Sequence, residues 1–238
     1  MNKELKCYRW IYLLIPVQLI SATLALLHYG FVFKSGSAAV AILILLLMFL
    51  YRQLRIKEMI PLILAFSFSI VGDWFLSHRD GETIRFIYGI VFFFFAHTGY
   101  LWYALLKGNM RWKFTAILLT GYLLFFLLML YPKLTNKALM LAVLAYLIIS
   151  VFSLGAAVGI TGNKRSRLTF VLGISLILFS DTIIALREFI GYHSLNELIL
   201  PTYYLSHIFI ACSVLLRQPD KKMSSTIDIC LGYICKFL

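Results

Sequence analysis

Eight long apolar runs, each broken off by charge, Gly, Pro or Asn, constrain this chain more than any other feature. They fall at about 11–27, 33–51, 59–77, 85–106, 114–131, 138–160, 168–186 and 198–216. A run of this length crosses the hydrocarbon of a bilayer as a helix, because lipid offers backbone N–H and C=O groups no partner outside the segment. None of the eight shows the strict alternation of a barrel strand, which argues against an outer-membrane barrel. The expected fold is all-α: a polytopic integral membrane protein of eight transmembrane helices. Residues 1–216 are expected to form one domain, and 217–238 a tail. From Met223 onward the tail is apolar enough to lie along a membrane surface.

Hydrophobic residues make up 62% of the chain and charged residues 13%, which excludes a soluble globular domain, a disordered chain and a disulfide scaffold. The net charge of +12 invites a nucleic-acid partner, but the placement of the cations gives it a simpler cause. One side of the expected bundle carries 16 Lys and Arg, from the N-terminus, the even-numbered breaks and the tail; the other carries 6. Cytoplasmic loops are the ones enriched in Lys and Arg. Both termini are therefore expected in the cytoplasm, in the inner or plasma membrane, with no nucleic-acid partner. The first run follows the basic stretch Lys3-Glu4-Leu5-Lys6, but it is long and lacks a small-residue cleavage site, so it is expected to be retained. Cys7, Cys230 and Cys235 fall on the cytoplasmic side and Cys212 in the last helix, so no disulfide is expected.

Ten acids are present, and eight of them (Glu4, Glu58, Asp80, Glu82, Glu188, Glu197, Asp220, Asp228) lie in breaks or at run ends. Only Asp73 and Asp181 lie inside apolar runs, where a carboxyl costs roughly 2.5–3.5 kcal/mol to insert. They sit about 14 and 13 residues above the cytoplasmic ends of their runs, which at the helical rise is roughly 20 Å in each case. Two such burials at one level point to one polar site towards the outer side. Two carboxyls sealed from water and near each other are expected to keep a proton between them, the arrangement of an acid–base pair. The bland reading is that each Asp merely bonds a backbone group or a neighbouring hydroxyl and fixes packing.

Other polar groups are ranked by depth. Tyr203 and Tyr204 enter the last run near the level of the acids; Ser69 lies four residues before Asp73, on the same face; Ser180 adjoins Asp181. His97 and His207 lie one or two turns deeper. Two His with two Asp would suit a metal, but the offset in depth weighs against that. No phosphate loop, nucleophile elbow or His-Glu zinc pattern is present. Asp73 and Asp181 are 108 residues apart, and a His follows each, after 24 and 26 residues. Four helices separate the equivalents, the pattern that two parallel four-helix repeats would give.

Several segments resemble the YhhN-like lysoplasmalogenase family. Ser69-Ile70-Val71-Gly72-Asp73-Trp74-Phe75-Leu76 is similar to its Gly-Asp helix. Gly89-Ile90-Val91-Phe92 leading to Ala96-His97-Thr98-Gly99-Tyr100 looks like the next one. Ser180-Asp181-Thr182 and Thr202-Tyr203-Tyr204 resemble its last two helices, and Lys57 with Pro61 its basic-Pro start of the third. The matches run in order over about residues 55–216; the first two helices match in hydrophobicity only. One position departs: where the family's last motif continues to Gln, this chain has His207. The resemblance implies a hydrolase that cleaves the vinyl ether bond of lysoplasmalogens to a fatty aldehyde and a glycerophospho-alcohol. It implies Asp73 and Asp181 as the catalytic pair, with His97 and Tyr203 beside them and no metal or organic cofactor. Ser69, Ser180, Tyr204 and His207 complete the expected substrate-binding set. The expected partners are a lysophospholipid substrate and membrane lipids. A proton-coupled transporter of a small molecule or lipid uses buried acids equally well and stays open, as does a metal-dependent hydrolase.

Overall fold

A computed structural model describes residues 9–51 and 53–217. The described residues form eight α-helices: α1 Leu14–Leu26, α2 Phe31–Leu50, α3 Ile56–Ser77, α4 Thr83–Lys107, α5 Trp112–Phe125, α6 Lys137–Val158, α7 Lys164–Ala185 and α8 Asn196–Leu215. A 3-10 turn, Arg9–Leu13, leads into α1, and π turns at Phe126–Leu130 and Leu186–Ile190 prolong α5 and α7. The described residues contain no strand. The expected tail and Cys7, Cys230 and Cys235 lie outside the described residues.

Seven helical segments are long and apolar enough to cross a membrane, and Trp10–Leu26 is a shorter apolar one. That first segment also runs the length of the bundle. At one end the Tyr12 hydroxyl donates to the Leu215 carbonyl at 2.8 Å, and towards the other the Ser21 hydroxyl donates to the Phe33 carbonyl at 3.1 Å. The chain is thus a multi-pass membrane protein. The large apolar side chains left on its outside, such as Val32, Ile117, Leu128 and Leu141, are what a lipid solvent requires. Helix boundaries follow ordinary local chemistry. Asn136 caps α6 through the Ala138 and Leu139 N–H groups, and Asn163 caps α7 through Arg165 N–H. Gly191 ends the helical turn after α7 with a φ of 76°.

The helices pack in a pattern with twofold form. Helices α3 and α4 form one intimate pair and α7 and α8 the other; α2 lies on α3 as α6 lies on α7. Helix α4 meets α6 as α8 meets α2, and α1 covers α2 as α5 covers α6. Moving four helices along the chain maps each of these contacts onto its counterpart, as a parallel repeat requires. Glycines permit both intimate pairs: a Cβ on Gly99 would come within 2.9 Å of the Ala65 Cβ, and one on Gly173 within 2.7 Å of Ile210. The core between the pairs holds Phe66, Tyr100, Phe170, Ile174 and Ile210, all fully buried.

Each end of the bundle is tied by charge. At the end where Arg9 and Arg217 lie, Glu58 pairs with both Lys107 and Arg217, joining α3, α4 and the end of α8. Glu58 stands in the first turn of α3, at a run end as expected, yet it is buried, because two cations fold over it. At the opposite, far end, Glu188 on the α7 π turn pairs with Arg79 and Arg187, and Arg79 lies over the Phe86 ring at 4.5 Å.

Candidate active site

Asp73 stands one turn before the far end of α3, and Asp181 a similar distance before the end of α7. Among the described residues, neither has a Lys or Arg at ion-pair distance in the way Glu58 and Glu188 do; hydroxyls meet them instead. The Tyr203 hydroxyl of α8 donates to Asp73 Oδ2 at 3.0 Å. The Tyr146 hydroxyl of α6 donates to Asp181 Oδ2. His97 of α4 approaches the same oxygen, with Nε2 at 3.8 Å, too long for a hydrogen bond. Near Asp73, the Lys34 Nζ of α2 donates to the Ser77 hydroxyl at 3.4 Å, one turn above the acid.

The twofold form of the bundle therefore extends to the acids. Asp73 is flanked by side chains of α8 and α2, and Asp181 by side chains of the equivalent α4 and α6. The frame repeats but the chemistry does not. Tyr203 lies four residues before His207, as Phe93 lies four before His97. The two rings meet edge to face at 6.0 Å, one with a hydroxyl and one without. Gly72 makes room for this contact, since a Cβ there would lie 3.0 Å from the Phe93 ring.

A chain of rings joins the tyrosines that hold the two carboxyls. Tyr203 lies 4.5 Å from His207, and His207 5.4 Å from Phe66. Phe66 lies 5.9 Å from Tyr100, Tyr100 5.9 Å from His97, and His97 5.3 Å from Tyr146. Both ring nitrogens of His97 and both of His207 are buried without a hydrogen-bond partner among the described residues. Such groups are normally satisfied by water or ligand, so the polar character of the site runs inward from both acids. The acids remain reachable: Asp73 is half-buried, and the Asp181 side chain keeps 17% of its exposure.

Of the residues singled out from the sequence, Asp73, Asp181, His97, Tyr203 and His207 come together here. Ser69 is buried on the Asp73 face against Tyr100. Ser180 points elsewhere, its hydroxyl donating to the Ile199 carbonyl at 2.9 Å and joining α7 to α8. Tyr204 packs with Ala22 and Ala25 where α8 meets α1, within electrostatic reach of Asp73 but not bonded to it. Sequence reasoning missed Tyr146, Tyr100 and Lys34. Tyr146 was within reach of the depth argument, because it lies twelve residues from the end of α6 at the level of the acids. Tyr122 and Thr182, bonded at 2.9 Å, extend the polar rim beside Asp181. Among the described residues no group of three or more His, Cys, Asp or Glu is placed to hold a metal ion.

This arrangement offers two carboxyls in unlike surroundings, each oriented by a phenol and neither paired with a Lys or Arg among the described residues. Such a pair can pass a proton to a bound molecule from one side and assist water from the other. No curated protein and no solved structure matches the chain significantly. The model of the YhhN family matches residues 33–214, about three quarters of the chain and all of α3 to α7 with the acid-bearing helices among them, and the chain belongs to that family.

Proposed function

We propose that this protein is a membrane-embedded hydrolase that cleaves the vinyl ether bond of lysoplasmalogens by carboxyl acid–base chemistry. The observation that carries the reading is the pair Asp73 and Asp181, held by Tyr203 and Tyr146 from facing helices at a common level. One carboxylic acid delivers its proton to the β-carbon of the vinyl ether, leaving an oxocarbenium ion at the α-carbon. The other carboxylate steadies that cation and takes a proton from water as the water oxygen bonds to the α-carbon, as carboxyl pairs do in glycoside hydrolysis. The hemiacetal then breaks to a fatty aldehyde and a glycerophospho-alcohol, with one water consumed. No cofactor enters the scheme. A one-chain lipid suits a site within the bilayer, because its chain stays in the apolar phase while the head group lies beyond the far end. Both termini are placed in the cytoplasm of an inner or plasma membrane, on the strength of the Lys and Arg distribution.

The test is to offer the purified protein in detergent a vinyl-ether lysolipid and its saturated-ether analogue. Aldehyde from the first alone is expected. Aldehyde from neither, with folded protein, overturns the reading. The twofold packing favours one other assignment, a proton-coupled transporter of a small molecule or lipid, since repeats of this kind build alternating-access proteins. That assignment requires no aldehyde in detergent and proton-linked lipid movement in liposomes.

A further inference from the structure

Three of the six cations at the far end are matched among the described residues: Arg79 and Arg187 by Glu188, and Arg85 by Asp80 and Glu82. Lys133 and Lys137 are exposed to solvent. Lys34 differs from both kinds. It is half-buried, its hydrogen bond is to the Ser77 hydroxyl, and no carboxylate lies within ion-pair distance of it among the described residues. Its neighbour Phe33 packs against the Tyr203 and Tyr204 cluster, and its own bond to Ser77, one turn above Asp73, sets Lys34 over the outer edge of the Asp73 site. It stands in the first turn of α2, where Gly30 supplies no side-chain cap. The free N–H groups of that turn add positive partial charge beside the ammonium.

Resting on the lysolipid reading above, we propose that Lys34 and Ser77 hold the anionic phosphodiester of the substrate head group while the ether lies one turn deeper at Asp73. The spacing supports this. Ser77 and Asp73 are one helical turn apart, about 5.4 Å. In a glycerophospholipid, five bonds separate the ether oxygen from phosphorus, an extended length of about that one turn. Lys34 offers a charge-assisted hydrogen bond and Ser77 a neutral one, which together favour a phosphate oxygen over a hydroxyl. A neutral glyceryl ether with the same chain would leave Lys34 without its anion.

The experiment measures binding rather than turnover. Two ligands that cannot be hydrolysed, a saturated-ether lysophospholipid and the 1-O-alkylglycerol of equal chain length, are titrated against the full chain in detergent by intrinsic tryptophan fluorescence. Lys34→Met should weaken the phospholipid about tenfold and leave the alkylglycerol within about twofold, with Lys34→Arg restoring the difference. Lys34→Gln is run beside it in case the Met variant does not fold. Equal losses for both ligands, or no loss for either, overturn the proposal. The two readings fail separately. Aldehyde release by wild type with Lys34-independent binding removes this inference alone. Lys34-dependent binding without aldehyde from the vinyl ether removes the hydrolase.

Discussion

If carbon protonation limits the rate, the two phenols that hold the carboxyls should respond differently to removal. The carboxyl that donates the proton gains negative charge as the barrier is climbed, so the hydrogen bond it accepts strengthens on the way up. The carboxylate that steadies the cation stays ionised through that step, and its phenol bond is the same in ground and transition states. Only interactions that strengthen in the transition state lower a barrier. A hydrogen bond to a charged group contributes about 1.5–3 kcal/mol, and part of that develops during the step, so its loss should slow the reaction about five- to a hundredfold. The perturbations are Tyr203→Phe and Tyr146→Phe. Both keep the ring, and with it the contacts of Tyr203 to Phe93 and His207 and of Tyr146 to His97, so folding should survive. Tyr103→Phe, buried against Phe170 at 5.1 Å and away from either acid, is the control. The assay is initial aldehyde release at saturating vinyl-ether lysolipid, with a solvent isotope effect to establish that proton transfer is slow. One of the two variants should fall within the stated range and the other should hold within about twofold. Equal falls, or no fall in either, would refute the division of labour. The variant that falls names the acid.

Asp73→Asn and Asp181→Asn should each abolish aldehyde release while the protein still inserts and purifies; near-normal turnover in either would dismiss the paired-acid mechanism. Glu58→Gln removes the anion that joins Lys107 and Arg217 and should cost roughly 3 kcal/mol of stability, seen as a lowered Tm in detergent. An unchanged Tm would mean that the clasp contributes nothing net. A reporter fused after Leu238 should read cytoplasmic, and an external reading would overturn the topology drawn from the cations.

The architecture was open to sequence reasoning because lipid leaves a chain so few options. Runs such as 138–160 and 168–186 carry Asn136 and Asn163 at their starts, and backbone bonding does the rest. Asp73 and Asp181 stood out for the same reason, as the acids in apolar surroundings without a charged residue beside them in sequence. What escaped was whatever depends on helix neighbours. Tyr146 looks like one more aromatic in an apolar run until α6 lies against α7. Glu58 looks solvated until α4 and α8 bring Lys107 and Arg217 over it. Ser180 looks like a partner of Asp181, but helical geometry turns its side chain about 100° away, and it finds the Ile199 carbonyl. A period of 108 residues pointed to equivalent helices; it could not say that Tyr203 and Phe93, at unlike equivalent positions, would face each other.

That last contact decides how a guest can lie. A truly symmetric cradle would admit a long molecule in either direction, and each carboxyl would meet its head on one visit and its tail on the next. Here a phenol faces a bare ring, and an ammonium on one wing answers a phenol on the other. On the proposed reading, a ligand with two different ends would be held one way round, and the roles of the acids would be written into the walls rather than chosen afresh at every turnover.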